Sequence, residues 1–145
     1  MLSNGLCFDA LVTPRHLSAL RAFARRHSDL PIVIDHAAKP DIARGMFREW
    51  CQDMEALSDL ENVHVKLSGL LTEAGDRADL PALRLYVETL IGLFGFHRLL
   101  WGSDWPVLLL AGNYQGWLSM CLDLIPASEQ GKVFGGNART FYGLG

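Results

Sequence analysis

Short apolar runs alternate with longer amphipathic stretches along the chain. The apolar runs, which are typical of strands, cover residues 6–12, 32–36, 63–69 and 99–104. Between and after them, apolar side chains recur at helical spacing. These amphipathic stretches cover residues 14–27, 43–57, 83–94, 114–124 and 128–142. Because strands that alternate with helices pair in parallel through right-handed crossovers, the pattern predicts an α/β fold of four βα units with an additional C-terminal helix.

The periodicity leaves two architectures open, an open four-stranded sheet and half of a closed barrel. The chain has 145 residues, whereas a closed (β/α)8 barrel typically needs about 250. No linker, low-complexity stretch or internal repeat divides the sequence. Residues 1–145 are therefore expected to form one domain.

The composition is that of a packed, soluble protein, since half of the residues are hydrophobic and a fifth are charged. The formal net charge is -3, and the basic residues are scattered. The densest basic group, Arg21, Arg25 and Arg26, is interpreted as the solvated face of one helix. Because nucleic-acid binding usually needs a basic patch or a high isoelectric point, a nucleic-acid partner is not expected.

The sequence also predicts no contact with a membrane. Its longest apolar run, residues 107–111, is far too short to span a bilayer. No signal peptide is recognised at the N-terminus, so a cytoplasmic location is expected. The cysteines Cys7, Cys51 and Cys121 are far apart and are expected to be buried, reduced thiols.

Ionisable side chains collect at the carboxyl ends of the predicted strands, where parallel α/β folds bind their ligands. Unpaired buried charges are costly, so a water-filled pocket, pairing or a metal is expected there. Strand parity places His64, Lys66 and Ser68 on the inner face of the third strand. The strand-end residues are Asp9, Asp35, His36, Lys66, Ser68, Ser103 and Asp104, with Lys39 and Trp105 just beyond.

Two of these residues suit hydrolysis. An aspartate such as Asp104 takes a proton from a water molecule and later returns it to the leaving oxygen. A histidine such as His36 polarises a carbonyl or ligates a divalent metal, and Zn²⁺ would lower the pKa of bound water towards about 7. Lys66 is suited to stabilise developing negative charge.

Each residue also has a purely structural interpretation. Asp104 could cap the segment after the fourth strand, His36 could be a core histidine, and Lys66 could pair with a neighbouring carboxylate. Asp35 is expected to face the helix layer rather than the pocket, whereas Asp9 is open to both interpretations. The remaining histidines are interpreted as surface residues (His16, His27, His97) or as filling of the barrel (His64).

Four segments together resemble one known family. These are residues 34–40 (IDHAAKP), 65–70 (VKLSGL), 100–106 (LWGSDWP) and 134–142 (FGGNARTFY). They resemble, in order and spacing, the amidohydrolase-related group of the amidohydrolase superfamily, which includes fuconolactonase-like and pyrone-dicarboxylate-lactonase-like enzymes. The resemblance implies the C-terminal half of a TIM (β/α)8 barrel, strands five to eight with a terminal helix.

The resemblance also implies roles. Asp104 matches the general base that activates water, and His36 matches a position that contacts substrate or metal. Lys66 and Ser68 match the segment beside the pocket, and Asp9 and Trp105 are further candidate contacts to the substrate. The implied substrate is a sugar lactone, a related cyclic ester or a carboxylate. The implied cofactor is one divalent metal such as Zn²⁺, with His36 and Asp104 as candidate ligands, or none.

The sequence departs from the family in one large respect. The family's His-x-His motif is missing, together with the four strands that begin with it. The start at Met1 is therefore expected to be artificial or late. Because unpaired strand edges invite association, the chain is expected to pair with itself or with a separately encoded N-terminal half. A catalytically inactive remnant and a small open-sheet binding module are the competing hypotheses.

Overall fold

The computed structural model describes residues 5–144, and its centre is a parallel sheet of four strands. The strands pair in parallel, as the periodicity predicts, and in chain order, β1-β2-β3-β4, as the resemblance to a half barrel implies. They are β1 (Phe8–Ala10), β2 (Ile32–Ile34), β3 (Val63–Leu67) and β4 (Leu99–Trp101). The predicted α/β fold with parallel strands is therefore confirmed, although each strand is shorter than the apolar run that contains it.

Helices follow every strand. The α-helices are α1 (Leu17–Arg26), α2 (Phe47–Ser58), α3 (Leu70–Ala74), α4 (Leu80–Phe94), α5 (Tyr114–Leu124), α6 (Ala127–Gly131) and α7 (Asn137–Phe141). Helix α2 begins later than predicted because residues 42–45 form turns, with Gly45 at a φ of 70°. The predicted helix 128–142 is interrupted by a non-helical backbone at Gly135, which separates α6 from α7. None of the helices within residues 5–144 is long and apolar enough to cross a membrane.

The two faces of the sheet differ in their side chains. On β3, Val63, Val65 and Leu67 are fully buried against the helices, as strand parity predicts. The opposite, inner face includes His64, whose ring packs edge-on against Phe141 of α7 at 5.0 Å between ring centroids. Helix α7 therefore contacts the inner face, opposite the other helices.

Side-chain amides tie the amino ends of the strands to the helices. Asn62, directly before β3, donates from Nδ2 to the carbonyl oxygens of Ala24, His27 and Leu30. Asn137, the first residue of α7, donates to the carbonyls of Phe96 and Leu99, on either side of the start of β4. These bonds satisfy carbonyls at helix and loop ends that have no partner within the helix. These bonds occupy the amino ends of the strands, so a ligand is expected at the carboxyl ends.

Candidate active site

His36, Ser68 and Asp104 meet at the carboxyl ends of β2, β3 and β4. The Nδ1 atom of His36 lies 2.8 Å from the hydroxyl of Ser68, which is itself buried. The other ring nitrogen, Nε2, lies 3.6 Å from Oδ1 of Asp104. The side chains of His36 and Asp104 keep only 20% and 13% of their exposure. Ser68 therefore fixes one side of the imidazole and directs the other side at the carboxylate.

A left-handed turn directs His36 into this site. Residues 36–39 all have positive φ, between 49° and 62°. For residues other than glycine, this conformation costs about 1–2 kcal/mol each. The amide of Lys39 closes the turn by donating to the carbonyl of His36 at 2.8 Å, and the indole of Trp50, in α2, holds it from outside by donating to the carbonyl of Ala37 at 2.8 Å. Such backbone strain is typical of functional sites, where the surrounding packing maintains it.

The loop with Asp104 has a similar organisation. Asp104 has a φ of 58°, so its backbone is also left-handed. Two residues earlier, the carbonyl of Gly102 accepts a hydrogen bond of 2.9 Å from the indole of Trp117, in α5. Asp104 in turn accepts at its own carbonyl from the amide of Leu108, at 2.8 Å. The carboxylate is therefore held on a loop that is bonded on both sides.

Gly69 leaves the space that the His36 ring occupies. Its φ is 69°, and a Cβ at this position would lie 2.8 Å from Cβ and Cγ of His36. We expect Gly69→Ala to lower the free energy of unfolding by about 1–3 kcal/mol, because the left-handed backbone and the clash both penalise alanine. Urea unfolding measures this loss.

Gly131 is the matched control for that substitution. It is helical, and apart from its chain neighbours and the backbone of its own helix, no atom lies within 4 Å of the position where its Cβ would be. Gly131→Ala is expected to stabilise the chain by about 0.4–1 kcal/mol, since alanine restricts the unfolded chain without a steric cost. Equal effects of the two substitutions would show that Gly69 has no steric role beside His36.

Lys66 forms the second polar group of the inner face. Its ammonium donates a hydrogen bond to Asp9 and lies 2.8 Å from Oδ1 of Asp35. The phenol of Tyr142 donates to Asp9 at 2.7 Å, and the Lys66 ammonium lies 5.7 Å from the centre of the Tyr142 ring. The expectation that Asp35 faces the helix layer is wrong. Asp35 continues the alternation of β2 onto the inner face, and His36 reaches the pocket as well because its backbone turns left-handed.

The surroundings of Lys66 and Tyr142 change their proton affinities. Burial alone would lower the pKa of Lys66, but its contacts with Asp35, Asp9 and Tyr142 outweigh this effect and raise the pKa. Burial raises the pKa of Tyr142 to about 12, and Asp9 adds to this shift, while the Lys66 ammonium opposes it. Near neutral pH, Lys66 is therefore a cation between two carboxylates, and Tyr142 is a neutral donor.

This shift predicts a loss of stability at alkaline pH. The pKa of Tyr142 is about 12 in the folded chain against an ordinary value of 10.0. Between these values the unfolded chain has lost a proton that the folded chain still holds, so the stabilisation present below pH 10 disappears as the pH rises. We expect the urea midpoint to fall more between about pH 9 and about pH 11 in the wild type than in Tyr142→Phe. Parallel falls in the two proteins would contradict this assignment.

A cavity of about 290 Å³ lies over the inner face at this end of the sheet. His36, Lys66, Ser68 and Asp104 line it, as do Asp35 and Tyr142. Asp9 lies outside this lining and contacts it through Lys66 and Tyr142. Trp105 is 67% exposed and lies outside the lining as well, with its amide bonded to the Ser103 hydroxyl at 3.2 Å.

A divalent metal finds only part of a ligand set in this chain. A catalytic Zn²⁺ usually takes three protein ligands and one water molecule. Within residues 5–144, no group of three or more histidine, cysteine, aspartate or glutamate side chains could hold a metal ion. His36 and Asp104 offer two ligands, so the residues that the structure describes do not by themselves fit the implied metal.

Comparison with known proteins places the chain in a family. The amidohydrolase family model (Amidohydro_2) matches residues 3–144, and the chain belongs to this family. It is similar to an L-fucono-1,5-lactonase of Burkholderia ambifaria, at 52% identity over 98% of this chain and 51% of that protein. An L-fucono-1,5-lactonase of Burkholderia multivorans is 35% identical over 98% of this chain and 53% of that protein. The chain thus spans about half the length of these curated relatives.

Solved structures give the same result. An amidohydrolase from Burkholderia multivorans with bound Zn superposes with a TM-score of 0.93 at 35% identity, over 99% of this chain and 55% of that chain. An amidohydrolase 2 from Bifidobacterium longum subsp. infantis superposes with a TM-score of 0.78 at 26% identity, over all of this chain and 52% of that one. The resemblance drawn from the sequence is confirmed, and the four βα units correspond to half of a TIM barrel.

The sequence interpretation missed several residues that shape the site. Tyr142 was assigned only to the C-terminal helical stretch, and Gly69, Trp50 and Trp117 were not assigned to the site at all. One local signal was available, because a glycine directly after a strand-end serine is typical of a backbone that needs positive φ. The partners of the two tryptophans depend on tertiary packing, which periodicity does not reveal.

Proposed function

We propose that this chain carries half of the active site of a hydrolase of sugar lactones, with Asp104 as general base. The observation that carries the proposal is the pair formed by His36 and Asp104, with Nε2 and Oδ1 3.6 Å apart at the carboxyl end of the sheet. The similarity to proteins named L-fucono-1,5-lactonase supports a lactone as the substrate class.

The proposed reaction needs only one proton carrier. Asp104 takes a proton from water while the water oxygen bonds to the carbonyl carbon of the lactone. The bond between that carbon and the ring oxygen then breaks, and Asp104 returns the proton to the ring oxygen. The product is the open-chain hydroxy acid. His36, held through Nδ1 by Ser68, presents Nε2 to the substrate and polarises the carbonyl oxygen.

The remaining polar residues form the wall that binds the sugar. Lys66 and Asp35 offer a cation and an anion to the substrate hydroxyls, while Asp9, which accepts a hydrogen bond from Tyr142, holds the ammonium in place. Because Lys66 is neutralised by two carboxylates, we assign it to binding of hydroxyls rather than of a carboxylate group. Trp105, which is exposed and follows Asp104 in sequence, is proposed to lie at the edge of the pocket and to pack against the bound sugar.

Substrate selectivity tests this function. The chain is combined with the part of the Burkholderia ambifaria relative that it does not cover, and hydrolysis is followed by proton release. We expect hydrolysis of L-fucono-1,5-lactone, with lower kcat/KM for an open-chain ester and no cleavage of a matched amide. A preparation that forms the complex but hydrolyses none of these compounds would instead support an inactive remnant.

We also propose that four further βα units, in the same polypeptide or in another, complete this half barrel. Two complementary apolar surfaces support the proposal. Helix α5, beyond the edge strand β4, carries Tyr114, Leu118 and Leu122 at helical spacing, and these side chains are exposed or half-buried. At the other edge, a groove between β1 and α1 is lined mainly by Phe8, Leu11, Val12, Ala19, Leu20 and Phe23. In a closed barrel, each surface would face the next βα unit.

Light scattering after size exclusion tests this completion. We expect the chain to form a one-to-one complex with the complementary half of the Burkholderia ambifaria relative. Leu122→Glu should weaken the complex, because it places a charge in the apolar contact. The control is Leu85→Glu, which alters an exposed leucine of α4 away from both edges. Self-association in place of this complex would identify a second copy as the occupant, and a lone monomer would contradict the proposal.

A further inference from the structure

Two buried tryptophans contact the segments that carry the reacting pair. Trp50 and Trp117 are each 1% exposed. The indole of Trp50 donates to the carbonyl of Ala37, next to His36, and the indole of Trp117 donates to the carbonyl of Gly102, two residues before Asp104. Each tryptophan is therefore bonded to backbone rather than to a substrate contact.

The two tryptophans occupy equivalent positions in their βα units. Trp50 is the fourth residue of α2, the first α-helix after β2. Trp117 is the fourth residue of α5, the first α-helix after β4. Each unit therefore has a catalytic candidate at the end of the strand and, in the first turn of the following helix, an indole that reaches back to the connecting segment. The same arrangement at both ends of the His36–Asp104 contact indicates a shared role.

Both connecting segments need an external donor. The turn at His36 has four successive left-handed residues, and Asp104 is left-handed as well. No regular helix or strand continues through such a backbone, so a carbonyl such as that of Ala37 has no partner from a helix or strand ladder. Ala37 is fully buried, and its carbonyl would be left without water if the indole were removed. An indole from a packed helix both satisfies the carbonyl and fixes the direction of the turn.

We propose that Trp50 and Trp117 are positioning residues that together set the separation of His36 Nε2 and Asp104 Oδ1. Trp50 acts through the left-handed turn on the imidazole, and Trp117 acts through Gly102 on the loop that carries the carboxylate. The inference rests on the proposed function only in taking these two side chains as the reacting pair. The distance between His36 Nε2 and Asp104 Oδ1 is a structural property, so it can be measured without catalysis.

Trp→Phe substitutions isolate the indole donors. Trp50→Phe and Trp117→Phe keep an aromatic ring in the core and remove the N–H group. Trp101, which also lines the cavity, provides the control, because within the described residues its buried Nε1 donates to no nitrogen or oxygen atom. Trp101→Phe therefore removes a similar volume from the core without removing a hydrogen bond to the backbone, although it removes the contact of the indole with the Cys121 thiol. All three variants are expected to lose some thermal stability, so stability alone does not distinguish the roles.

The test is the long-range ¹H–¹⁵N spectrum of the His36 imidazole in the 145-residue chain. In the wild type, the contact of Nδ1 with Ser68 should give one set of ring signals. In Trp50→Phe and Trp117→Phe, we expect these signals to shift and broaden, as the displaced form of the pair becomes about fivefold more populated. Trp101→Phe should leave them in place.

A second variant shows whether the effect of Trp50 passes through the turn. Lys39 is left-handed, and its side chain is partly exposed. Lys39→Gly should relieve strain in the turn and restore the His36 signals when combined with Trp50→Phe. This rescue also covers the case in which Trp50→Phe alone folds poorly.

Two results would overturn the inference. One is a set of His36 signals that stay unchanged in folded Trp50→Phe and Trp117→Phe. The other is an equal change in Trp101→Phe, which would reflect general loosening of the core. Absence of lactone hydrolysis combined with a specific response of His36 would reject the proposed function and leave the positioning role intact.

Discussion

Asp104→Asn is expected to lower the kcat of the completed barrel for lactone hydrolysis by about 10²- to 10⁴-fold. Asparagine keeps the size of the side chain but does not accept a proton from water at neutral pH. The substitution should leave the surrounding structure in place, because the loop of Asp104 is held by its backbone. The carboxylate lies 3.6 Å from His36 and forms no salt bridge to a lysine or arginine within the described residues. KM should change much less than kcat, since the Asp104 carboxylate is needed for proton transfer rather than for substrate binding.

Asp123→Asn is the control for this substitution. Asp123 is exposed near the end of α5, and its substitution by asparagine changes the net charge by the same amount. Its kcat should equal that of the wild type. An Asp104→Asn enzyme that retains kcat within about twofold would remove Asp104 from the role of general base. Initial rates at saturating lactone decide between these outcomes.

Arg98→Met is expected to lower the free energy of unfolding by about 3 kcal/mol, the largest effect on stability that we predict. The half-buried guanidinium of Arg98 lies over the ring of Phe94, 5.0 Å from its centre. Methionine preserves much of this packing but removes every donor and leaves carbonyls without their partners. The acceptors are the carbonyls of Ser58, Leu60, Val63, Leu93 and Phe94.

Arg84→Met is the matched control. Arg84 is exposed on α4 and, among residues 5–144, forms an ion pair only with Glu88 on the same helix, at 3.0 Å. Exposed pairs of this kind contribute little, so a change within about 0.5 kcal/mol is expected. Urea unfolding of both variants gives the comparison. Similar losses of unfolding free energy in Arg84→Met and Arg98→Met would show that the hydrogen bonds from Arg98 to the carbonyls add no more stability than an exposed ion pair.

The architecture was predictable because it depends on local periodicity. Four apolar runs separated by amphipathic stretches predict the number of strands and their parallel direction, whereas their order followed only from the family resemblance. Parity along β3 correctly separated Val65 and Leu67 from His64 and Lys66. The meeting of His36, Ser68 and Asp104 at one end of the sheet was expected for the same reason, since parallel strands place their carboxyl ends together.

The details that shape the site depend on interactions that periodicity does not encode. Asp35 was assigned to the wrong face because strand alternation was extended to His36, whereas the left-handed backbone at His36 directs both neighbouring side chains to the pocket. The bond between Tyr142 and Asp9 joins the two ends of the sequence, 133 residues apart. Such contacts follow from the packing of α7 over the inner face, and a strand pattern contains no information about them.

We propose that this chain supplies a reacting pair, His36 and Asp104, that works once the rest of the barrel is present. The most direct measurement is a titration of the chain with the complementary half of the Burkholderia ambifaria lactonase, with L-fucono-1,5-lactone hydrolysis as the readout. We predict that the rate rises and saturates at one equivalent, with neither half active alone. A complex that forms at one equivalent without hydrolysis, while the intact relative is active in the same assay, would contradict the account.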